Sequence, residues 1–259
     1  MSKSKIHNIL KPLSVIFALL SAVMCAFTFT YDYNKTTGYF KDSTLTYLFY
    51  TTLAMCVILS IAAAITKRNN SEESSNKNRR MMGIIMLFSF AFYFVSYCLT
   101  PTPEYMTGGI TKVITPVIFV AALVSISHFT IIAFFSDRTS NSTKILTGIA
   151  PVLLPTLIAT ASYFDMTQAL NTPQKLLLQF GLITFSLYYV AELKEYTNAR
   201  RVKFIIAVAG ISTALSLSAG VSVIFAILSN SGSTLTNIST AILFATMASC
   251  SASRLLENE

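Results

Sequence analysis

His128 is the side chain whose type and position best suit chemistry, because it lies about 15 residues into a long apolar stretch. At about 1.5 Å of rise per residue, a membrane-spanning helix there would put it roughly 5 Å from the bilayer centre. Ser125 lies one turn earlier on the same face. A neutral histidine can bind a ligand, take up a proton or hydrogen-bond a neighbouring helix, and we expect the hydrogen bond. His7, the only other histidine, lies in a basic tail, so the sequence offers no histidine pair for a metal.

Three other residues in apolar stretches are candidates for a ligand site. Gln179 suits either a helix–helix contact or a polar group of a ligand. Pro151 and Pro155 lie one turn apart, and each removes a backbone donor and clashes with the preceding turn. The two prolines predict a bent or broken helix that either lines a cavity or forms a structural kink satisfied by Thr156 or Thr147. The ligand-binding residues expected from the sequence are therefore His128, Ser125, Gln179, Pro151 and Pro155.

No acidic residue lies well inside an apolar stretch. We expect Glu192 and Glu195 to be solvated beside Lys194. Proton- or sodium-coupled transporters and intramembrane aspartyl proteases need a buried carboxylate, so the sequence argues against both. The cysteines lie in apolar stretches without CxxC spacing, which argues against zinc and disulfides; they are Cys25, Cys56, Cys98 and Cys250. Since there is also no catalytic motif and no nucleotide loop, we expect neither an enzyme nor a cofactor.

The elements that position these residues follow from composition. Hydrophobic residues make up 53% of the 259 residues and charged residues 12%, against a usual charged share of about 25%. The apolar residues form runs long enough to cross a hydrocarbon core of about 30 Å. The sequence therefore predicts an all-α, polytopic membrane bundle that forms one domain over 1–259. Its eight transmembrane helices are expected at 12–31, 43–66, 81–100, 113–136, 145–164, 176–193, 204–228 and 235–253.

Lysines and arginines predict the orientation of these spans. With the N-terminus in the cytoplasm, 15 of the 19 basic residues fall on the cytoplasmic side, as the positive-inside rule requires. The four on the other side are Lys35, Lys41, Lys112 and Lys175. We therefore expect a cell-membrane protein with both termini cytoplasmic, whose net charge of +8 faces lipid headgroups rather than nucleic acid.

A duplication is one interpretation of the chain. Arg79-Arg80 and Arg200-Arg201 each precede an apolar run with the same RRxxxII spacing. Halves 1–136 and 145–259 would then form a 4+4 parallel repeat. The alternative is that basic residues precede any span that begins in the cytoplasm.

Small residues at four-residue spacing predict which helices pack closely in lipid. They form one stripe on span one, two on span seven and one on span eight. Since span seven has small residues on more than one face, we expect it to lie among other helices. The span-eight stripe is Ala241, Ala245, Ser249 and Ser253.

Two functions fit these observations. The first is a transport or solute-binding membrane component for a small, largely uncharged or amphipathic molecule, with the loop 192–203 as a contact for a cytosolic subunit. The alternative is a sensor or scaffold that signals to a cytosolic or membrane protein partner. Its expected partner contacts are Arg79, Arg80, Arg200 and Arg201.

Overall fold

The computed structural model describes residues 3–67, 76–100, 111–164, 171–197, 202–229 and 234–257. Within these residues the chain is all-helical, and eight helices are long and apolar enough to cross a membrane. The prediction of a multi-pass bundle with eight spans is thereby confirmed. The helices are α1 (Lys3–Tyr31), α2 (Thr44–Thr66), α3 (Asn76–Leu99), α4 (Thr111–Phe134), α5 (Asn141–Tyr163), α6 (Pro173–Leu193), α7 (Val202–Leu228) and α8 (Thr234–Leu256), with a short 3-10 helix, Lys194–Thr197, extending α6.

Local sequence signals begin several of these helices. The Ser43 hydroxyl accepts a hydrogen bond from the backbone N–H of Thr46, and the Ser140 hydroxyl accepts one from Thr143, each at 3.2 Å. Both serines therefore cap free amides at a helix start. α6 begins at Pro173. Proline has no backbone N–H, and the first N–H groups of a helix have no intrahelical acceptor, so proline costs no hydrogen bond there.

Helices α1 and α3 begin earlier than the predicted spans. α1 starts at Lys3 instead of residue 12, and α3 starts at Asn76 instead of residue 81. Hydropathy marks only the apolar part of a helix, whereas backbone hydrogen bonding continues through the polar turns that precede it. The additional turn of α3 carries Arg79, one of the charged residues of the site described below.

The last six helices form a closed ring. Each helix from α3 to α8 packs against the next, and α8 packs back onto α3. Five of these six joints connect helices that are consecutive in the chain, so a loop spans each of them. The α8–α3 joint brings together the two ends of the series. Outside the ring, α1 and α2 pack against each other and against α7.

α7 is the most enclosed helix, as its small residues predict. It contacts α1, α2, α6 and α8. Both of its small-residue stripes are buried. Ser21 of α1 lies 3.4 Å from Ser218 of α7, hydroxyl to hydroxyl, and Thr213 of α7 lies 3.0 Å from Ser251 of α8. Small side chains therefore allow close approach on both sides of α7.

The prediction that the small-residue stripe of α8 forms a helix–helix interface is wrong, because Ala245 and Ser249 are exposed. α8 instead packs with Phe244, which is fully buried. A Cβ atom added to Gly181 would lie 2.9 Å from the Phe244 ring, and one added to Gly220 would lie 3.4 Å from the Phe244 Cβ. A large side chain set against glycines on two neighbouring helices thus makes this contact.

The two ends of the chain meet at one end of the bundle. The His7 Nδ1 donates to the Ala63 carbonyl at 2.8 Å, and the Lys11 ammonium donates to the Glu257 carbonyl at 3.1 Å. We call this the basic end, because most described lysines and arginines lie there. They are Lys11, Lys67, Lys77, Arg79, Arg80, Arg138, Lys144, Lys194, Lys203 and Arg254. That the basic end is cytoplasmic stays a prediction.

The packing gives the predicted duplication no support. If the halves α1–α4 and α5–α8 were duplicates of each other, α2 and α3 would correspond to α6 and α7. Among the described residues α6 packs firmly on α7, but α2 and α3 do not form a comparable contact. The ring of six with an attached pair is therefore not a two-fold arrangement of four and four.

Candidate functional site

A cleft lies at the basic end of the ring, between α3, α4, α6 and α8. Its cavity volume is about 70 Å³, enough for several waters at about 10–15 Å³ each. On α3 it extends from Asn78 to Met86, a depth of about 12 Å at 1.5 Å per residue. We call it the basic-end cleft; it is lined by Asn78, Arg79, Met82, Gly83, Met86, Phe129, Ile132, Tyr188, Tyr189, Glu192, Leu193, Tyr196, Cys250, Ser253, Arg254 and Glu257.

The inner part of the cleft is apolar. Met82 and Met86 of α3 face Phe129 and Ile132 of α4. Gly83 permits this arrangement, since an added Cβ would lie 3.0 Å from the Ile132 side chain and 3.1 Å from the backbone of α4. Methionine side chains are flexible and polarisable, so they can reshape such a floor around different ligands.

Beyond this floor the ring is filled. Phe90, Phe185 and Phe244 lie farther from the basic end and are at most 1% exposed. Phe90 packs on Phe129 with ring centroids 5.0 Å apart. The cleft therefore ends against a packed aromatic core within the described part of the ring.

Three tyrosines of α6 and its extension form one wall of the cleft: Tyr188, Tyr189 and Tyr196. The Tyr188 hydroxyl donates to the Cys250 carbonyl of α8 at 3.5 Å. The Tyr189 hydroxyl lies 2.6 Å from the His128 Nε2 of α4. A tyrosine offers an apolar ring with a polar tip, so this wall suits a ligand with both characters.

His128 lies directly behind that wall and is fully buried. Its Nδ1 lies 2.8 Å from the Thr147 hydroxyl, which is itself 2.9 Å from the Thr143 carbonyl. A carbonyl only accepts, so we assign the Thr147 proton to it and a proton to Nδ1. The Nε2 then accepts from the Tyr189 hydroxyl. His128 thus joins α4, α5 and α6 and fixes the orientation of Tyr189.

The charged part of the site is centred on Glu195, in the 3-10 helix. Its side chain is only 3% exposed and pairs with both Arg79 of α3 and Arg254 of α8. Arg254 also lies 3.1 Å from the Glu192 carboxylate, Nε to Oε1, and pairs with Glu257. The expectation that Glu192 and Glu195 are solvated beside Lys194 is wrong. Buried carboxylates need partners, and here two arginines from distant helices supply them.

Tyr196 connects the charged cluster to the aromatic wall. The Arg79 guanidinium lies 5.5 Å from the centre of its ring and the Lys144 ammonium 5.4 Å from it. Cations within about 6 Å of a tyrosine face are attracted by the ring. The 3-10 helix is therefore held to α3 and α5 as well as to α8.

The charged groups that line the cleft are paired with opposite charges. The lining residues Arg79 and Arg254 are positive and Glu192 and Glu257 are negative, and Glu195 beside them is a third carboxylate that pairs with both arginines. A ligand with a large net charge would therefore gain little from this rim, whereas an uncharged or zwitterionic polar group could bond to both signs. The described residues include no group of three histidine, cysteine, aspartate or glutamate side chains able to hold a metal.

No family model, curated protein or solved structure matches this chain.

The residues predicted to bind a ligand do not line the cleft. His128 supports its wall from behind, and the Ser125 hydroxyl donates to the Ala121 carbonyl at 2.6 Å. Gln179 donates to the Ser162 hydroxyl of α5 at 3.3 Å, on the far half of α6. Ser125 thus bonds within α4, whereas His128 and Gln179 bond to neighbouring helices.

Pro151 and Pro155 do not break α5, which runs without interruption from Asn141 to Tyr163. Both prolines are buried. The Thr156 hydroxyl lies 3.0 Å from the Val152 carbonyl and 3.1 Å from the Ser186 hydroxyl of α6. The Thr156 hydroxyl thus connects α5 to α6, whereas the carbonyls that lose a helical donor to Pro151 and Pro155 are those of Thr147 and Pro151.

Of the predicted partner contacts, Arg79 lines the cleft and Arg80 pairs with Asp137 at the basic end. Arg200 and Arg201 lie outside the described residues. The site residues predicted from the sequence do not include Glu192, Glu195, Arg254 or the tyrosine wall. The signal that could have found them is a pair of acids three residues apart at the end of an apolar helix.

Proposed function

We propose that the protein is a non-catalytic, solute-binding membrane component whose binding site is the basic-end cleft. Its ligand is a small amphipathic molecule with an uncharged or zwitterionic polar group. The observation that carries this proposal is the combination, within about 12 Å of depth, of a rim of paired opposite charges with an apolar floor of Met82, Met86 and Phe129. Ligand sites combine such apolar surfaces with a few placed polar groups.

The distribution of basic residues supports a cytoplasmic position for the cleft, in the cell membrane. The packed core beyond its floor supports a state that is closed toward the opposite face. Transport would need a second state in which Phe90 and Phe185 move, whereas binding needs none. We therefore give solute binding as the function, with transport as its extension.

Glu192 and Glu195 remove one argument against ion-coupled transport, since the chain does contain acids buried near the end of a span. Both carboxylates are held by Arg254, and Glu195 also by Arg79. Such pairs are typical of a structural network as well as of a functional site. They support a fixed rim more than a moving proton carrier.

The sensor alternative has less support at Arg79, which is already paired with the buried Glu195 of the same chain. Arg80 pairs with Asp137 at the surface, where both side chains stay accessible. Arg80, Arg200 and Arg201 remain its predicted contacts.

Four short-chain alkyl probes with a common tail test the proposal. Their heads are glucoside, phosphocholine, phosphate and trimethylammonium, and binding to the purified protein in nanodiscs is measured by their protection of Cys250 from alkylation. We expect the glucoside and phosphocholine probes to slow alkylation more than the two charged probes do. No protection by any probe, or the best protection by a charged one, would contradict the proposal.

A further inference from the structure

The α3–α8 joint differs from the other five joints of the ring. It connects the first and last helices of the series, so no short loop holds its two sides together. A ring that opens at this joint keeps every loop intact. Every other joint is also tethered by the connection between its two consecutive helices.

Hydroxyl pairs hold the part of this joint that lies beyond the cleft, and at the basic end Asn78 of α3 donates to the Glu257 carboxylate of α8 at 3.3 Å. The pairs are Ser89 with Thr246 at 2.8 Å, Ser96 with Ser239 at 2.9 Å and Thr100 with Thr236 at 3.0 Å. Bonds between hydroxyls of membrane helices are individually weak, and a separated hydroxyl can bond back to its own helix. Ser239 and Thr246 already lie within bonding distance of carbonyls on their own helix. Separation of α3 from α8 would therefore leave these groups with partners.

The basic-end cleft lies on this joint. One side of the cleft is formed by α3, with Met82 and Met86, and the opposite side by α8, with Cys250 and Ser253. Glu195 bridges the two helices at the rim through Arg79 and Arg254. Parting of α3 and α8 would open the apolar floor of the cleft directly to lipid.

The depth of the cleft matches the position of an amphiphile in one leaflet. Charged groups lie at its rim, at the level of the headgroups, and methionines and Phe129 lie one to two turns deeper. An amphiphile in the bilayer has its head and tail at these same two levels. It could move sideways between the helices without changing depth, whereas a ligand from water would have to pass its tail through the paired charges.

We infer that the ligand of the cleft is a membrane-dissolved amphiphile with an uncharged or zwitterionic head, which passes between α3 and α8 from the bilayer. The ligand class in this inference rests on the proposed function. The route depends only on the separation of α3 from α8, so it can be tested without any ligand.

The test locks the joint with a disulfide and uses Cys250 as the reporter of access to the cleft. Cys25, Cys56 and Cys98 are replaced by alanine. Ser89→Cys with Thr246→Cys places two thiols where hydroxyl oxygens lie 2.8 Å apart across the joint, directly beyond the inner end of the cleft. The matched control is Thr156→Cys with Ser186→Cys, whose hydroxyls lie 3.1 Å apart across the loop-connected α5–α6 joint.

The measurement is the rate at which Cys250 reacts with a bilayer-partitioning maleimide and with a charged methanethiosulfonate in nanodiscs. We expect the α3–α8 disulfide to slow the maleimide about tenfold or more, because the cleft is then closed to lipid. A reductant should restore the rate, and the α5–α6 disulfide should leave it unchanged. If the first pair prevents folding, Ser96→Cys with Ser239→Cys serves as the second lock, at 2.9 Å.

An unchanged maleimide rate with the joint locked would overturn the route. So would a lock that slows the charged reagent as much as the maleimide, each relative to its own rate without the lock, since the lock would then not act on access from lipid. If the alkyl probes fail to bind while the lock still slows the maleimide, the proposed function fails and the route stands. If the probes bind and the lock has no effect, the route fails and the binding site stands.

Discussion

The Glu195 carboxylate pairs with the Arg254 guanidinium and so ties the 3-10 extension of α6 to the last turn of α8. The same carboxylate pairs with Arg79 at the start of α3. One acidic side chain thus joins three elements that surround the mouth of the cleft. Glu195 has a 3% exposed side chain, and those of Arg79 and Arg254 are 23% and 15% exposed.

Glu195→Gln should therefore destabilise the bundle, because it leaves two guanidiniums without their shared partner. Loss of one partner from a fully buried pair costs about 3–5 kcal/mol. We expect about 2–3 kcal/mol here, since the arginines are partly solvated and screened. The measurement is the free energy of unfolding in mild detergent by denaturant titration.

The control is Asp137→Asn, which removes the partner of Arg80 in a pair whose side chains are 40% and 63% exposed. Exposed pairs contribute about 0–1 kcal/mol. Equal losses for Glu195→Gln and Asp137→Asn would mean that burial does not distinguish the two sites.

The His128–Tyr189 bond should behave as a coupled pair. His128→Leu leaves the buried Tyr189 hydroxyl without its acceptor, which costs about 1–3 kcal/mol. The double variant with Tyr189→Phe removes both groups, and we expect it to lose less than the two single variants together. Unfolding free energies of the four proteins measure this coupling.

Ser127→Ala, one position along α4 on an exposed face, is the control and should change stability by less than about 0.5 kcal/mol. If the losses of unfolding free energy caused by His128→Leu and Tyr189→Phe simply add in the double variant, the hydrogen bond between the two residues is contradicted. If Tyr189 is positioned by this bond, His128→Leu should also weaken probe binding without any change to a residue that lines the cleft.

Two glycines should respond oppositely to the same substitution. A Cβ at Gly148 would overlap the Leu193 side chain and would lie 3.1 Å from the ring of the buried His128. Gly148→Ala should therefore cost about 1–3 kcal/mol through overpacking, and it should shift His128. At Gly220 the nearest contact would be an ordinary 3.4 Å to Phe244.

Gly220→Ala should accordingly be neutral or gain up to about 1 kcal/mol from the better helix propensity of alanine. Thermal unfolding of both variants in one detergent makes the comparison. A loss at Gly220 as large as that at Gly148 would contradict the packing described for α7 and α8.

The predictable part of this fold is the part governed by hydropathy. Eight apolar runs of sufficient length give eight helices, because a backbone in lipid has to satisfy its own hydrogen bonds. The stripe on α8 was assigned to the wrong face, because small size alone does not show which side of a helix meets a neighbour. Phe244 makes that contact, and its partners Gly181 and Gly220 lie on two other helices.

The site was harder to predict for a related reason. Glu195 stands among polar residues at a helix end, which is the usual position of a solvated acid. Its burial depends on Arg79 and Arg254, which reach it only after the ring has closed. His128 was easier, because a lone histidine in an apolar helix needs hydrogen-bond partners wherever it lies. Its partners, Thr147 and Tyr189, come from α5 and α6 and could not be read from the sequence.

The floor of the cleft should control ligand binding. Met86→Trp places a larger, rigid side chain in the space between α3 and α4 and should weaken binding of the phosphocholine probe about tenfold or more. Phe88→Trp, two residues along the same helix, is the matched control, since Phe88 is 69% exposed on the outside of the ring. Equal effects of the two substitutions, measured by Cys250 protection, would remove the cleft as the binding site.

The orientation of the bundle can be tested at two exposed lysines that lie before and after α2 in the chain. Lys41 precedes α2, and Lys77 lies in the first turn of α3 at the basic end. In a chain whose four cysteines are replaced by alanine, Lys41→Cys should react with a membrane-impermeant maleimide on intact cells. Lys77→Cys should react only after lysis, because basic residues are retained on the cytoplasmic side. The reverse pattern would place the cleft on the external face, and labelling of both in intact cells would contradict the crossing of the membrane by α2.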